Sequence, residues 1–265
     1  MTIPTDHPRW SIVVPAYNEE DRLPRYLAEI REFFEIIGWS VEVLVSDDGS
    51  RDATARVVSE LSEEWPALRL HRLPENRGKG AAVREGILRA RGERVLFTDA
   101  DGATPIAEIL RLSRALDDGA DIAVGSRALK GKDTRVETSV KRRLVGRTFH
   151  LMISILGVRG VRDTQCGFKA FLGPVAKELF AASTIDGFGF DVELFLLAQK
   201  ACFRIDEVPV NWTHVDGSRV SVLRDSPRMA LEVLSVRWRL LTGHYRGWPP
   251  NGKGRAAVDS LPPLR

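Results

Sequence analysis

The sequence contains only two cysteines among its 265 residues, Cys166 and Cys202. Thiols this far apart provide neither the closely spaced cysteine set of a zinc site nor a disulfide framework. We therefore expect both to be reduced core residues in a cytoplasmic protein.

A long hydrophobic run is also missing. Residues 1–10 lack the apolar core of a signal peptide. The longest uncharged apolar stretch, residues 151–158, is far shorter than the ~20 residues that a spanning helix needs. We therefore expect a chain that does not cross a bilayer, although it can lie peripherally on the cytoplasmic face of one.

The chain has no strong overall charge, since 39 Lys and Arg face 36 Asp and Glu. The basic residues are unevenly distributed: residues 127–147 hold eight of them and only two acids, a local charge of 8 − 2 = +6. Such a segment attracts phosphates or anionic lipid. Because it lacks interleaved aromatic residues, we expect no nucleic-acid partner.

Short β-rich runs alternate with amphipathic segments along the chain. The pattern predicts strands at residues 10–14, 41–46, 68–72, 94–98, 122–126, 167–171 and 207–212. It predicts helices near residues 20–37, 52–64, 79–91, 105–117, 138–157, 174–182, 190–201 and 226–242. This alternation indicates an α/β fold with a mostly parallel, Rossmann-like sheet covered by helices on both faces. We expect a single domain over residues 9–243 and a disordered tail over residues 244–265.

Two familiar nucleotide-binding fingerprints are absent. The first predicted strand leads into Pro15 and Tyr17 instead of a glycine triplet, and residues 76–80 lack the Gly-Lys-Ser/Thr ending of a P-loop. A nucleotidyltransferase would need a glycine-rich loop after the first strand, so that class is disfavoured.

Acidic residues follow two of the predicted strands. Asp47 and Asp48 come after the second, while Asp99 and Asp101 come after the fourth, where the i, i+2 spacing directs both carboxylates to one side. Two like charges side by side are costly unless a cation compensates them, and Mg²⁺ or Mn²⁺ is the usual compensation for paired carboxylates. An acidic cap on an ordinary turn remains the alternative for each pair.

Taken in order, the motifs resemble the family 2 glycosyltransferases of GT-A fold. The blocks that carry the resemblance are residues 15–20, 47–50, 76–80, 99–101, 125–127, 162–169, 190–193, 210–213 and 217–219. The later blocks look like the branch of dolichyl-phosphate glucosyltransferases and polyprenyl-phosphate glycosyltransferases. The resemblance extends over residues 9–243, nearly the whole predicted domain.

This resemblance implies an inverting, metal-dependent enzyme that moves a hexose, with glucose favoured, from a nucleotide diphosphate sugar such as UDP-glucose to a polyprenyl phosphate. It implies Mg²⁺ or Mn²⁺ at Asp99 and Asp101, with Asp101 favoured as the direct ligand. The nucleotide and its phosphates would contact Pro15, Tyr17, Glu19, Asp47, Asp48, Lys79, Arg127, Lys169 and Arg219. Asp163 is the first choice for the acceptor-side carboxylate, followed by Asp191 and Glu193.

Two alternatives remain open at this point. One is a soluble glycosyltransferase with a small hydroxylic acceptor, which would need a general base where a phosphate acceptor would not. The other is a protein that binds nucleotide sugars without turnover. If the acceptor is a lipid, the predicted helix at residues 138–157, which the basic segment leads into, is a candidate for membrane contact. The helix at residues 226–242 is expected to pack on the domain.

Overall fold

The computed structural model describes residues 7–131, 133–136, 160–213, 222–245 and 247–249. The strands are β1 (Trp10–Ala16), β2 (Val41–Asp47), β3 (Leu68–Arg72), β4 (Arg94–Thr98), β5 (Ile122–Ser126), β6 (Phe168–Leu172) and β7 (Ile205–Pro209). The α-helices are α1 (Leu23–Ile37), α2 (Thr54–Glu64), α3 (Lys79–Arg89), α4 (Ile109–Asp117), α5 (Gly173–Ala182), α6 (Phe190–Lys200) and α7 (Val222–Leu241). A 3₁₀ turn, Ile106–Glu108, precedes α4.

The seven strands form one sheet in the order β3-β2-β1-β4-β6-β5-β7. All neighbouring pairs are parallel except those of β6, which runs antiparallel to both β4 and β5. The predicted mostly parallel sheet is therefore confirmed. The inserted β6 brings a segment from far along the chain to the edge of β4, where Lys169 stands opposite Phe97.

Alternating side chains of the sheet form two hydrophobic cores, one on each face. Val13 and Phe97 pack with residues of α3, α5 and α6. Ile12 and Leu96 point the other way and pack with residues of α1 and α4. Because successive strand residues face opposite sides, a buried central strand needs apolar residues at every position. The predicted helical cover on both faces is confirmed.

The first and last strands differ from the predicted boundaries. β1 continues through Pro15 to Ala16. Proline has no N–H to donate to a neighbouring strand, and here β4 pairs with β1 only as far as Val13, so Pro15 has β2 as its one neighbour. β7 begins and ends earlier than predicted, and Trp212 lies outside it in an isolated bridge with Val136.

The packed region extends past residue 243. Tyr245 is buried and its hydroxyl bonds the Glu193 carboxylate, and the Trp248 Nε1–H donates to the Leu197 carbonyl at 3.0 Å. The remaining tail and the helix predicted at 138–157 lie outside the described residues. Among the residues described, no helix has both the length and the apolar character that crossing a membrane requires.

Candidate active site

The loops after β1, β2 and β4 meet at one edge of the sheet, because these parallel strands share a direction. Hydrogen bonds join the two loops that follow β1 and β2. Asn18 adopts a positive φ of 53°, its N–H donates to Ser50 Oγ at 2.9 Å, and its Oδ1 accepts from the Arg51 N–H at 2.8 Å. Tyr17 is half-buried at this corner. The first two predicted motifs are thus brought together.

Asp47 and Asp48 shape this corner from within. Asp47 is completely buried, and its Oδ1 accepts from both the N–H and the hydroxyl of Ser50. Its Oδ2 lies 3.3 Å from Arg72 Nε but has no hydrogen-bond partner within the described part of the chain.

Asp48 accepts from the N–H groups of Arg77 and Gly78, one with each oxygen, both at 2.8 Å. Burial raises the pKa of its carboxyl, against the effect of these two bonds. Each oxygen thus holds one N–H of the 76–78 turn and can still accept another bond, so the contact of Asp48 with the nucleoside stays a prediction.

The 76–78 turn positions Lys79 at the site. Gly78 has a φ of 116°, and a Cβ there would lie 2.5 Å from the Asp186 carbonyl oxygen, so only glycine fits. Lys79 begins α3, and its Nζ is 2.6 Å from Asp99 Oδ1. The helix N-terminus and the ammonium together form a cationic corner beside the carboxylates.

Asp99 and Asp101 lie side by side after β4, as predicted. Gly167, which precedes β6, closes against them: its carbonyl accepts from the Asp99 N–H at 3.0 Å, and a Cβ would come within 1.9 Å of Asp99 Oδ2. Burial and the neighbouring Asp99 charge raise the pKa of Asp101, although Lys79 and Arg22 act in the opposite direction. The groups around Asp101 therefore offset its burial and the Asp99 charge only in part.

This pair fits a divalent cation. The described residues supply no third His, Cys or acidic group to complete a metal cluster. Mg²⁺ and Mn²⁺ sites of two carboxylates are normally completed by substrate phosphates and water. The glycine cradle at residue 167 and the raised pKa of Asp101 are the two structural features that favour this type of site.

Arg22 is a site residue that sequence reasoning missed. Its guanidinium donates to both oxygens of Glu19, at 2.8 and 2.6 Å. Burial lowers the pKa of Arg22, but Glu19 and then Asp101 and Asp99 raise it above its ordinary value. The i, i+3 spacing of Glu19 and Arg22 was the available signal, and on a helix surface such pairs are common. If Glu19 contacts the nucleoside as predicted, its carboxylate must bind the nucleoside and Arg22 at the same time.

Arg127 and Asp163 form a closed pair. Arg127 Nε and its terminal nitrogen donate to the two Asp163 oxygens at 2.7 and 2.8 Å, and its backbone N–H donates at 2.9 Å. Burial alone would raise the pKa of Asp163, but the Arg127 guanidinium holds it below the ordinary value. A carboxylate with a lowered pKa and both oxygens bonded is a weak base, and the acceptor-side role of Asp163 stays a prediction. The Arg127 guanidinium lies 5.6 Å from the Trp212 ring centroid, and only two of its five N–H groups bond Asp163, so its contact with phosphate stays a prediction.

Lys169 and Asp191 form a second, deeper pair. Lys169 is 1% exposed, and its Nζ lies 2.7 Å from Asp191 Oδ1 and 2.6 Å from the Cys166 carbonyl. Asp191 is 4% exposed, and burial raises its pKa against the effects of Lys169 and Lys79. Neither side chain reaches the surface. The structure therefore pairs Lys169 and Asp191 inside the fold, and the predicted phosphate contact of Lys169 and catalytic role of Asp191 stay predictions.

Glu193 is likewise structural. It is fully buried and accepts from the N–H groups of Thr184 and Ile185. Arg219, the third predicted phosphate ligand, lies outside the described residues. Of the predicted site, the structure thus brings Tyr17, Asp47, Lys79, Asp99 and Asp101 to one sheet edge.

Comparisons with known proteins agree with this geometry. The family model for glycosyl transferase family 2 matches residues 11–180. The chain is 38% identical to the dolichyl-phosphate beta-glucosyltransferase of Dictyostelium discoideum over 255 residues, covering 92% of the chain and 78% of that protein. It is 39% identical to the dolichyl-phosphate beta-glucosyltransferase of Homo sapiens, with 89% and 77% covered, and 34% identical to that of Saccharomyces cerevisiae, with 89% and 76% covered.

Solved structures confirm the GT-A fold. Mannosyl-3-phosphoglycerate synthase from Rubrobacter xylanophilus matches with a TM-score of 0.66 at 18% identity, covering 97% of this chain and 79% of that one. Glucosyl-3-phosphoglycerate synthase from Mycobacterium tuberculosis, in complex with Mn²⁺, UDP and glucosyl-3-phosphoglycerate, matches with a TM-score of 0.63 at 20% identity, covering 92% and 82%. At these identities the similarity concerns the fold alone.

Proposed function

The chain belongs to glycosyl transferase family 2, and from this premise we propose that it transfers glucose from UDP-glucose to the phosphate of a dolichyl or other polyprenyl phosphate. The similarity to dolichyl-phosphate beta-glucosyltransferases over nine-tenths of the chain carries this proposal. The enzyme class follows from the family, whereas the donor and the lipid acceptor are what the experiments below test.

On the donor side, Asp99 and Asp101 would hold Mg²⁺ or Mn²⁺ together with the donor diphosphate. When bound, the ion supplies Lewis-acid stabilisation of the departing diphosphate. Lys79 fixes one Asp99 oxygen at 2.6 Å and adds positive charge at the same corner. Tyr17 and Asp47 would line the nucleoside pocket, since they lie at the adjoining β1–β2 corner.

On the acceptor side, the pairing of the carboxylates favours a phosphate nucleophile. Arg127 donates hydrogen bonds to both oxygens of Asp163, and the buried Asp191 accepts one from Lys169. Neither is free to take a proton from a hydroxyl acceptor, whereas a phosphate is already ionised and needs no strong base. Its oxygen would attack the anomeric carbon opposite the diphosphate, whose bond to that carbon breaks with inversion.

The exposed face of α7 supports a lipid acceptor. Leu231, Leu234, Trp238 and Leu241 are 55–75% exposed and recur at helical spacing, while Val236 packs inward. The expectation that this helix only packs on the domain is therefore incomplete. Glu232 on α7 accepts from the Gly189 N–H at 2.8 Å, which places the helix beside the start of α6.

The occupant that fits this face is an anionic lipid surface. The sequence of α7 contains four arginines and two acids, and one of those acids, Glu232, is turned inward to Gly189. A helix sequence that combines several arginines with a row of leucine and tryptophan is typical of helices that lie in a headgroup layer.

The test is a matrix of donors and acceptors. We expect glucose transfer from UDP-glucose to polyprenyl phosphate, little transfer from GDP-mannose, and loss of activity in EDTA that Mg²⁺ or Mn²⁺ restores. Efficient transfer to 3-phosphoglycerate in place of the lipid would contradict the acceptor proposal. Nucleotide binding with no transfer to any acceptor would indicate a binding protein instead.

A lipid-surface variant completes the test. Replacing Leu234 and Trp238 with glutamine should reduce sedimentation with anionic liposomes and raise the apparent KM for polyprenyl phosphate, with little change in UDP affinity. Ile36→Gln on α1 is the matched control, because Ile36 is 76% exposed on another helix. Equal liposome binding by the two variants would show that α7 is not the lipid-facing surface.

A further inference from the structure

A row of alternating charges runs beneath the metal-binding edge. It consists of Asp99, Lys79, Asp191 and Lys169. Lys79 Nζ is 2.6 Å from Asp99, and Lys169 Nζ is 2.7 Å from Asp191. Burial lowers the pKa of Lys79, but the charges of Asp99 and then Asp191 raise it above its ordinary value. Lys79 therefore lies in the field of two carboxylates, one at the site and one below it.

Phe97 joins the two ion pairs. Both ammonium groups flank its ring, with Lys79 Nζ at 5.6 Å and Lys169 Nζ at 5.2 Å from the centroid, and Lys169 also lies 5.7 Å from Phe195. The Lys169 and Asp191 side chains are buried, and a buried charge interacts with its neighbours more strongly than one in water. The Lys79 and Asp99 side chains are 23% and 37% exposed, so we expect the charge of Asp191 to reach Asp99 through Lys79 and partly screened by water.

We propose that Asp191 and Lys169 are positioning residues that set the cation affinity of the Asp99–Asp101 site. Asp191 shares Lys79 with Asp99, so that Lys79 neutralises the Asp99 carboxylate only in part and leaves it able to bind a cation. Lys169 balances Asp191 and keeps the row neutral. This inference rests on the proposed metal-dependent function and deepens it.

The sign of each expected change follows from the charges. The four groups of the row sum to zero, since two carboxylates face two ammonium groups. Asp191→Asn leaves a net +1 and gives Lys79 to Asp99 alone, so cation affinity falls. Adding Lys169→Met returns the row to zero, so part of the affinity is recovered.

The experiment measures Mn²⁺ binding to the purified full chain in the presence of UDP, by the electron paramagnetic resonance signal of free Mn²⁺ at pH 8. We expect the dissociation constant to rise about tenfold in Asp191→Asn and about threefold in the double variant. Thermal unfolding is recorded in parallel to confirm that each variant is folded.

Glu193→Gln is the matched control. Glu193 is a fully buried carboxylate on the same helix, but it faces residues 184–185 instead of the charge row. If Asp191 served only stability, both variants would unfold at lower temperature and neither would change Mn²⁺ affinity.

The outcomes separate the two proposals. Wild-type protein that binds UDP but no Mn²⁺ overturns both the metal-dependent function and this inference. Wild-type binding with an unchanged constant in Asp191→Asn overturns the inference alone. If Asp191→Asn does not fold, the double variant decides, because it leaves no buried charge unpaired and an unchanged constant there overturns the inference.

Discussion

Two acids at opposite ends of the central sheet, the buried Glu42 and the half-buried Asp101, differ in how far the protein compensates their charge. At the amino end, Glu42 on β2 accepts from Ser11 Oγ at 2.6 Å, from Arg91 Nε at 2.9 Å and from Arg69 at 3.0 Å. At the carboxyl end, Asp101 accepts one N–H, from Ala103 at 3.1 Å, and has Asp99 as its neighbour.

The pKa values record this difference. Burial alone would raise the pKa of Glu42, but its bonds to Ser11 and Arg91 bring it below the ordinary value. Burial raises the pKa of Asp101, and the Asp99 charge raises it further. Groups within the protein compensate the negative charge of Glu42. The charge of Asp101 is compensated only in part, and a bound cation would complete the compensation. An incompletely compensated acid at a sheet edge is thus a stronger sign of function than burial or charge alone.

The largest expected effect is on transfer by Asp101→Asn. Removing this carboxylate takes away a ligand charge for the cation, so we expect the rate of glucose transfer to fall by at least about 10³-fold. The folded state should lose nothing, because the charge that is removed is poorly compensated. Initial rates and the thermal midpoint, measured on the same preparation, check both halves.

Two results would contradict this prediction. Near-normal transfer by Asp101→Asn in the presence of EDTA would remove the metal role. A large fall in the thermal midpoint would place Asp101 with Glu42 as a structural acid.

The second effect is on stability, at the opposite end of the sheet. Glu42→Gln leaves Arg91 and Arg69 without their carboxylate partner, and we expect the free energy of unfolding to fall by about 2–3 kcal/mol. Urea denaturation measures this fall. Transfer per folded molecule should stay within about twofold of the wild type, since Glu42 lies at the far end of the strands. A proportionate loss of kcat would show that the two ends are not independent.

The contrast could be anticipated only in part from the sequence. The carboxylates after β2 and β4 were predicted because strand, acid and helix follow one another locally, and parallel strands bring such loops together. The partners that decide their roles are not local. Gly167 reaches Asp99 through the antiparallel β6, and Asp163 reaches Arg127 across 36 residues.

The same limit applies to the buried ion pair. The family motifs predict site roles for Lys169 and Asp191, but they do not show that the two side chains are buried against each other. Sequence periodicity indicates which face of an element is apolar, but it does not show which charges meet inside a core. On α7, the predicted packing on the domain is confirmed for Val236 and Leu240, whereas a second apolar row ending at Leu241 is exposed.

The smallest expected effect is the pH dependence of stability, and it tests the comparison most directly. Asp101 has a raised pKa in the folded state, so its ionised form costs stability above that pKa, and the cost disappears as the pH falls below the unfolded value of about 3.9. Glu42 has a lowered pKa, so it contributes stability above the unfolded value of about 4.3 and loses that contribution as the pH falls through the folded pKa. In EDTA near pH 7, Asp101→Asn should therefore be at least as stable as the wild type and Glu42→Gln less stable. Urea midpoints between pH 4 and pH 8 should show both differences shrinking towards acid from opposite signs. If both variants were destabilised with the same pH profile, the two ends of the sheet would hold their acids in the same way, and the unusual pKa of Asp101 could no longer be assigned to a missing cation.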